Sequence, residues 1–190
     1  MANYPNETVK TIMERRSVRK YKPEQIDEQE LKCIIDCGLN APSAMNSQNW
    51  HFTVIQNKDL INRMSEKIRL NLPPEMFTRY KERHNGREDF CLFYEAPTII
   101  LISGDAEDLF TDYNGAYATQ NMCLAAHSIG VASVIIGLTK ILFMTDEAEA
   151  FKKELDVPEG YKPLYAVCFG YADIKPEKPE RIEGKLSFIR

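Results

Sequence analysis

Arg15, Arg16 and Arg19 stand within the stretch RRSVRKYK, with Ser17 among them. Guanidinium groups present rigid forks of N–H donors that match the oxygens of a phosphate, and a serine hydroxyl adds one more donor. The same cations just past a helix end would also be mildly favoured by its macrodipole with nothing bound. A second polar stretch, NAPSAMNSQNWHF from Asn40 to Phe52, gathers Ser43, Asn46, Ser47, Gln48 and Asn49 ahead of Trp50 and Phe52. Short amides and hydroxyls placed there can hydrogen-bond the edge of a heteroaromatic ring, or simply build a turn. Trp50 and Phe52 themselves alternate like core residues of a strand.

Composition narrows the chemistry further. With 190 residues, 44% of them apolar, one globular domain spanning 1–190 is the simplest organisation. A net charge of -4 argues against a nucleic-acid surface, which needs a broad basic footprint. Cys33, Cys37, Cys91, Cys123 and Cys168 are odd in number and lie in apolar runs, so they read as reduced, buried thiols of a cytoplasmic chain. Cys33 and Cys37 lack the second ligand pair that a zinc site requires. His51, His84 and His127 are scattered, with no neighbour that marks a triad or a metal centre. Neither a GxGxxG turn after a strand nor a Walker loop is present, and no window resembles a signal peptide or a membrane span.

The elements that must position these residues follow from periodicity. Val9, Ile12 and Met13 predict a short helix, capped by Asn6 or Thr8, that ends near the arginines. Asp27 and Glu30 open a second helix with a capping box; Leu31, Ile34 and Ile35 line one face, and Gly38 and Pro42 mark its exit. Four β-rich runs follow, at 51–56, 97–104, 131–137 and 164–171, with helical patterns between them. The longest helix should lie within 108–129, and residues 72–96 read as a short helix plus a mobile connection. Strands alternating with helices predict a sheet covered by helices. The Pro-rich, charged end, 172–190, closes on Phe188 and Ile189; it reads either as an arm on another subunit or as a frayed terminus.

Taken together, RRSVRKY followed by APSAMNSQNWHF resembles the FMN-dependent nitroreductase family, whose first box is RRS-x-R and whose second is PS-x-x-N-x-Q-x-W-x-F. GAYATQNMCLAAHSIGVASVIIG and LYAVCFGY continue the resemblance over nearly the whole chain. It implies an α+β fold, with a central, mostly antiparallel sheet flanked by helices, in an intertwined homodimer. It also implies bound FMN, NAD(P)H as electron donor, and a small electrophilic acceptor such as a nitroaromatic or quinone, reduced by ping-pong turnover. Arg15, Arg16, Ser17 and Arg19 would then hold the phosphate and reach toward the flavin pyrimidine. Pro42, Ser43, Ala44, Asn46 and Gln48 would approach the flavin from the other subunit. Ile136 and Gly137 would present backbone to the ring, where glycine permits close approach. Lys178 and Arg181 of the tail would reach the phosphate, and residues 72–96 would cover the flavin. No side chain is singled out as catalytic. Two alternatives stand beside this reading: an FMN-binding sensor or storage module without turnover, and a flavin-free interaction domain using the basic patch.

Overall fold

The computed structural model describes residues 5–190. Helix α1 (Glu7–Glu14) is capped by Asn6, whose Oδ1 accepts from the Val9 N–H at 2.9 Å, and it stops just before the arginines as its periodicity predicts. Helix α2 (Glu28–Leu39) opens with the predicted capping box: Asp27 Oδ1 accepts from the Gln29 N–H at 2.8 Å, and Glu30 Oε2 from the Asp27 N–H at 3.0 Å. Then come β1 (Trp50–Ile55), α3 (Lys58–Leu70), α4 (Pro74–Arg83), β2 (Thr98–Asp105), α5 (Thr111–Ser128), β3 (Ala132–Ile136), α6 (Ala148–Glu154) and β4 (Tyr161–Gly170). Short 3-10 turns occupy Ala44–Asn46 and Gly137–Met144.

The strands form one sheet in the order β1-β2-β4-β3, and every ladder is antiparallel. The α+β expectation holds. Alternation along β2 and β4 feeds two apolar layers, as the period of two requires. Ile99, Leu101, Ala166 and Cys168 face α3 and the segment after α4. Ile100, Ile102, Val167 and Phe169 face α2 and α5, where Ile34, Met122 and Ala126 have no exposed surface. Burial of each such large side chain stabilises the fold by roughly 1.5–3 kcal/mol. Gly38 is not the exit of α2 but part of it; a Cβ there would lie 2.7 Å from Met122 Cγ, so glycine lets α2 and α5 meet closely.

Two expectations are corrected. Residues 90–96 are not a mobile connection: Phe90, Leu92, Phe93, Tyr94 and Ala96 are buried in the core, although no regular element carries them. Their hydrophobic payload outweighs the loss of a regular backbone ladder. Cys33 is exposed, because it lies on the outer face of α2; Cys123 and Cys168 are buried as expected. Trp50 is buried, and its ring stacks on Phe52 with centroids 6.2 Å apart. Among the described residues no helix is long and apolar enough to cross a membrane.

Candidate active site

Residues 17–22 run as a strap along the β3 edge of the sheet. Ser17 bridges Ser133 in parallel fashion, the Val18 N–H donates to the Ser133 carbonyl at 3.1 Å, and Tyr21 bridges Ala172 at the start of the tail. Buried Val18 and Tyr21 fix the strap, which leaves Arg19 and Lys20 exposed. The strap, the end of α5, β3 and the tail enclose a cleft of about 1550 Å³ lined by Arg15, Arg16, His127, Ser133 and Lys178, among others. Arg15 and Arg16 of the first box therefore share one cavity with Lys178 of the tail, whereas Ser17 and Arg19 do not line it. Ser133 Oγ is buried there without a hydrogen-bond partner, its neighbour being the Cys123 thiol, a weak acceptor.

The arginines divide their work. Arg16 folds back on the end of α1, its Nη1 donating to the Met13 carbonyl at 2.8 Å and to the Arg15 carbonyl at 2.7 Å. Arg15 faces α5, where burial first, and then the Arg15 charge, pushes His127 below its usual range; Glu14 opposes this and Arg16 adds to it. Arg19 is exposed outside this cleft, and its charge acts on the Tyr80 and Tyr21 hydroxyls. Ile136 is buried at the end of β3, and Gly137 follows it into an exposed turn. A Cβ on Gly137 would meet nothing within 4 Å, so nothing within this chain demands glycine there. Arg181 is exposed and does not line the cleft.

The second box is built at the opposite edge of the sheet, before β1. Asn114 of α5 is fully buried and organises it. Asn114 Oδ1 accepts from the Ala44 N–H at 2.9 Å, while its Nδ2 donates to Asn49 Oδ1 at 2.9 Å and Ser47 Oγ at 3.2 Å. Asn49 Nδ2 donates in turn to Thr111 Oγ1 at 2.9 Å. Above this network Ser43 Oγ accepts from the Gln48 N–H at 3.1 Å, and Gln48 Nε2 donates to Asn46 Oδ1 at 3.1 Å. Met45, Asn46 and Gln48 all have positive φ, 51°, 54° and 47°. Pro42, Asn46 and Gln48 stay exposed.

The two boxes are consequently far apart within one chain. Asn114 lies in the first turn of α5 and His127 in its last, about 20 Å along the axis at roughly 1.5 Å per residue. Across the sheet, three strand spacings of about 4.8 Å separate β1 from β3. Sequence reasoning missed Asn114 and Thr111 as the framework of the second box, and it placed Asn49 in the polar stretch without that buried role. The available signal was weak, because α5 carries other polar residues such as Gln120 and Asn121, and only burial sets Asn114 apart from them.

Comparison with known proteins agrees with this geometry. The model of the nitroreductase family matches residues 12–171. A nitroreductase with bound FMN from Desulfitobacterium hafniense has a TM-score of 0.89 and 30% identity, over 98% of this chain and 100% of that one. A nitroreductase with bound FMN from Bacteroides fragilis has a TM-score of 0.86 and 31% identity, over 97% of this chain and 100% of that one. An NADPH-flavin oxidoreductase from Vibrio harveyi is 25% identical over 187 residues, which are 95% of this chain and 72% of that protein. With both boxes, the sheet order and the central helix in place, the chain belongs to the nitroreductase family.

Proposed function

We propose that this chain is an FMN-dependent oxidoreductase of the cytoplasm, which takes hydride from NAD(P)H and reduces nitroaromatic, quinone or similar electrophilic acceptors. The observation that carries the reading is the placement of the two boxes at opposite edges of one sheet, about 20 Å apart along α5. Neither edge can complete a flavin site alone, so the flavin sits between two copies, with the first box from one and Pro42–Gln48 from the other. Residues at the cleft fit a phosphate: Arg15 and Lys178 line it, and the buried Ser133 hydroxyl lacks a partner. Ser17, bridged to Ser133 along the β3 edge, adds a hydroxyl, and Arg181 joins from the tail in the dimer. Five free thiols suit a reducing compartment.

FMN, when bound, supplies hydride acceptance and donation. Arg15 and Lys178 would hold its phosphate through charge-assisted hydrogen bonds, with the Ser17 hydroxyl as a further donor from the strap. The Arg19 guanidinium would offer a positive charge toward the flavin pyrimidine and so favour the anionic reduced cofactor. Gly137 leaves room for close approach along the end of β3. Donor and acceptor use one open face in turn, which gives ping-pong turnover.

Unpartnered apolar surface supports the second copy. Phe110, Tyr113 and Tyr117 expose a stripe along α5 beside Met45, which is 87% exposed. Ile182, Leu186, Phe188 and Ile189 of the tail are exposed too, and 172–190 serves as an arm on the partner copy. The test uses full-length protein and a truncation ending at Lys175, with mass from light scattering, FMN affinity from fluorescence, and anaerobic mixing with NADPH. A yellow dimer that bleaches promptly, and that loses both mass and affinity on truncation, is expected. A flavin that binds without bleaching would favour a sensor or storage module. A truncated chain that stays dimeric with unchanged affinity would make the tail a frayed end.

A further inference from the structure

Around α4 the charges are arranged unevenly. Lys81 pairs with Glu88, Arg87 with Asp89 and Arg69 with Glu66. Arg79 and Arg83, one turn apart on α4, and Arg19 of the strap have no ion-pair partner among the described residues. Arg83 lies over the Tyr80 ring, Arg79 precedes it by one turn of α4, and the charges of all three act on the Tyr80 phenol. The Arg83 guanidinium carbon stands 5.1 Å from the Tyr80 ring centroid. Burial, with Tyr94 adding to it, pushes the Tyr80 phenol up, while the charges of Arg83, Arg19 and Arg79 pull it down. Glu75 and Glu82 share α4 with them, yet no carboxylate among the described residues stands within ion-pair distance of these three guanidinium groups, which leaves their N–H forks open to an anion.

The platform beneath them is rigid. Phe90 stacks with Tyr80 at 6.1 Å and with His84 at 5.2 Å, and His84 stacks with Tyr94 at 5.1 Å. Tyr94 is buried, and both it and Glu95 hold positive φ, 56° and 58°, a strained arrangement for non-glycine residues. Strain of this kind persists only where surrounding packing fixes it. Arg83 lies over the Tyr80 ring, and the neighbouring Tyr94 and Tyr80 hydroxyls favour its charged form against the effect of burial. The α4 segment therefore presents Arg79 and Arg83 over a packed aromatic stack.

We propose that Arg79 and Arg83, with Arg19 beside them, form an anion subsite that recognises an oxyanion, phosphate or carboxylate, on a reactant entering the flavin site. This rests on the flavin reading above only in where the reactant goes; the arginine cluster itself does not depend on it. The oxyanion has two sources: the additional phosphate that distinguishes NADPH from NADH, or a carboxylate on the acceptor. Planar guanidinium forks suit both.

The test compares the wild type with the R79Q/R83Q double variant, since glutamine is a good helix former and both positions are exposed. FMN titration should give the same affinity for both within about twofold. Calorimetric titration with NADP+ against NAD+, and with 4-nitrobenzoate against 4-nitrobenzamide, needs no turnover. Loss of about tenfold or more for one charged ligand, with its neutral or less charged counterpart unchanged, is expected and names the source. Steady-state KM should move in the same arm while kcat holds. Equal binding of all four ligands by wild type and variant, or equal loss of charged and neutral ligands, would overturn the subsite. Failure of the wild type to bind FMN would instead overturn the flavin reading, while the calorimetric comparison would still decide the subsite.

Discussion

The strap with the first box and the loop with the second are held in opposite ways. Main-chain bridges to β3 and the tail fix residues 17–22, so that Arg15 and Arg19 remain free as charges. A buried side-chain network fixes the second box, where Asn114, Asn49 and Thr111 lock a backbone bent through three positive-φ residues. Charges act over distance and tolerate some motion; amide and hydroxyl hydrogen bonds weaken steeply with misalignment. The first region thus suits anchoring, and the second suits orientation.

That contrast is breakable. Its largest expected consequence is at Asn114, where N114A leaves the Ala44 N–H and the Asn49 carbonyl oxygen without their partner. Each orphaned buried group costs roughly 1–3 kcal/mol, so urea unfolding should show about 3 kcal/mol of lost stability. Affinity for FMN and for riboflavin should both fall, since the second box loses its shape. A stable N114A chain with intact flavin affinity would show that the network is incidental. A smaller effect is expected at Arg15, with the opposite signature. R15A should leave stability within about 0.5 kcal/mol, weaken FMN by about 1.5–3 kcal/mol and spare riboflavin, as measured by fluorescence titration. Equal weakening of both ligands would remove the phosphate role.

Legibility in the sequence followed the range of the interaction. The capping box of Asp27 and Glu30 and the four strands are set by neighbours a few residues away and were readable, and the α1 cap is narrowed to Asn6 or Thr8, of which Asn6 serves. The two boxes were readable as polar clusters, and the resemblance gave them a purpose. What supports them was not readable. Asn114 meets Ala44 and Asn49 only after α5 folds back on the second box, across long sequence separations. Phe90, Leu92 and Phe93 are core without periodicity, because their segment is irregular and its burial comes from α3 and α4. Arg16 looked equivalent to Arg15, yet it caps α1, a choice made by backbone carbonyls that leave no mark in composition.

The smallest effect separates the two faces of the molecule by pH. His127 lines the first-box cleft and His84 lies in the aromatic stack of α4. Burial is the leading cause that holds both below the usual histidine range; Arg15 and Arg16 add to it at His127 against Glu14, and Arg83 and Arg87 add to it at His84 against Glu95. With the folded pKa below the unfolded value near 6.5, the unfolded chain binds more protons in acid. Stability is therefore full above about pH 6.5 and falls as pH drops below it. A phosphate beside Arg15 and Lys178 changes only one of these. Its negative charge favours the protonated His127 ring, so bound FMN should flatten the His127 share of the pH slope and leave the His84 share intact. Urea unfolding at pH 7.5, 6.5 and 5.5, with and without FMN, reads this for the wild type, H127Q and H84F. The H127Q slope should be shallower than wild type without FMN and should match it with FMN, whereas H84F should be shallower in both. If FMN left the wild-type slope unchanged, the phosphate would not lie beside His127, and the strap would be a structural edge with no anchoring role.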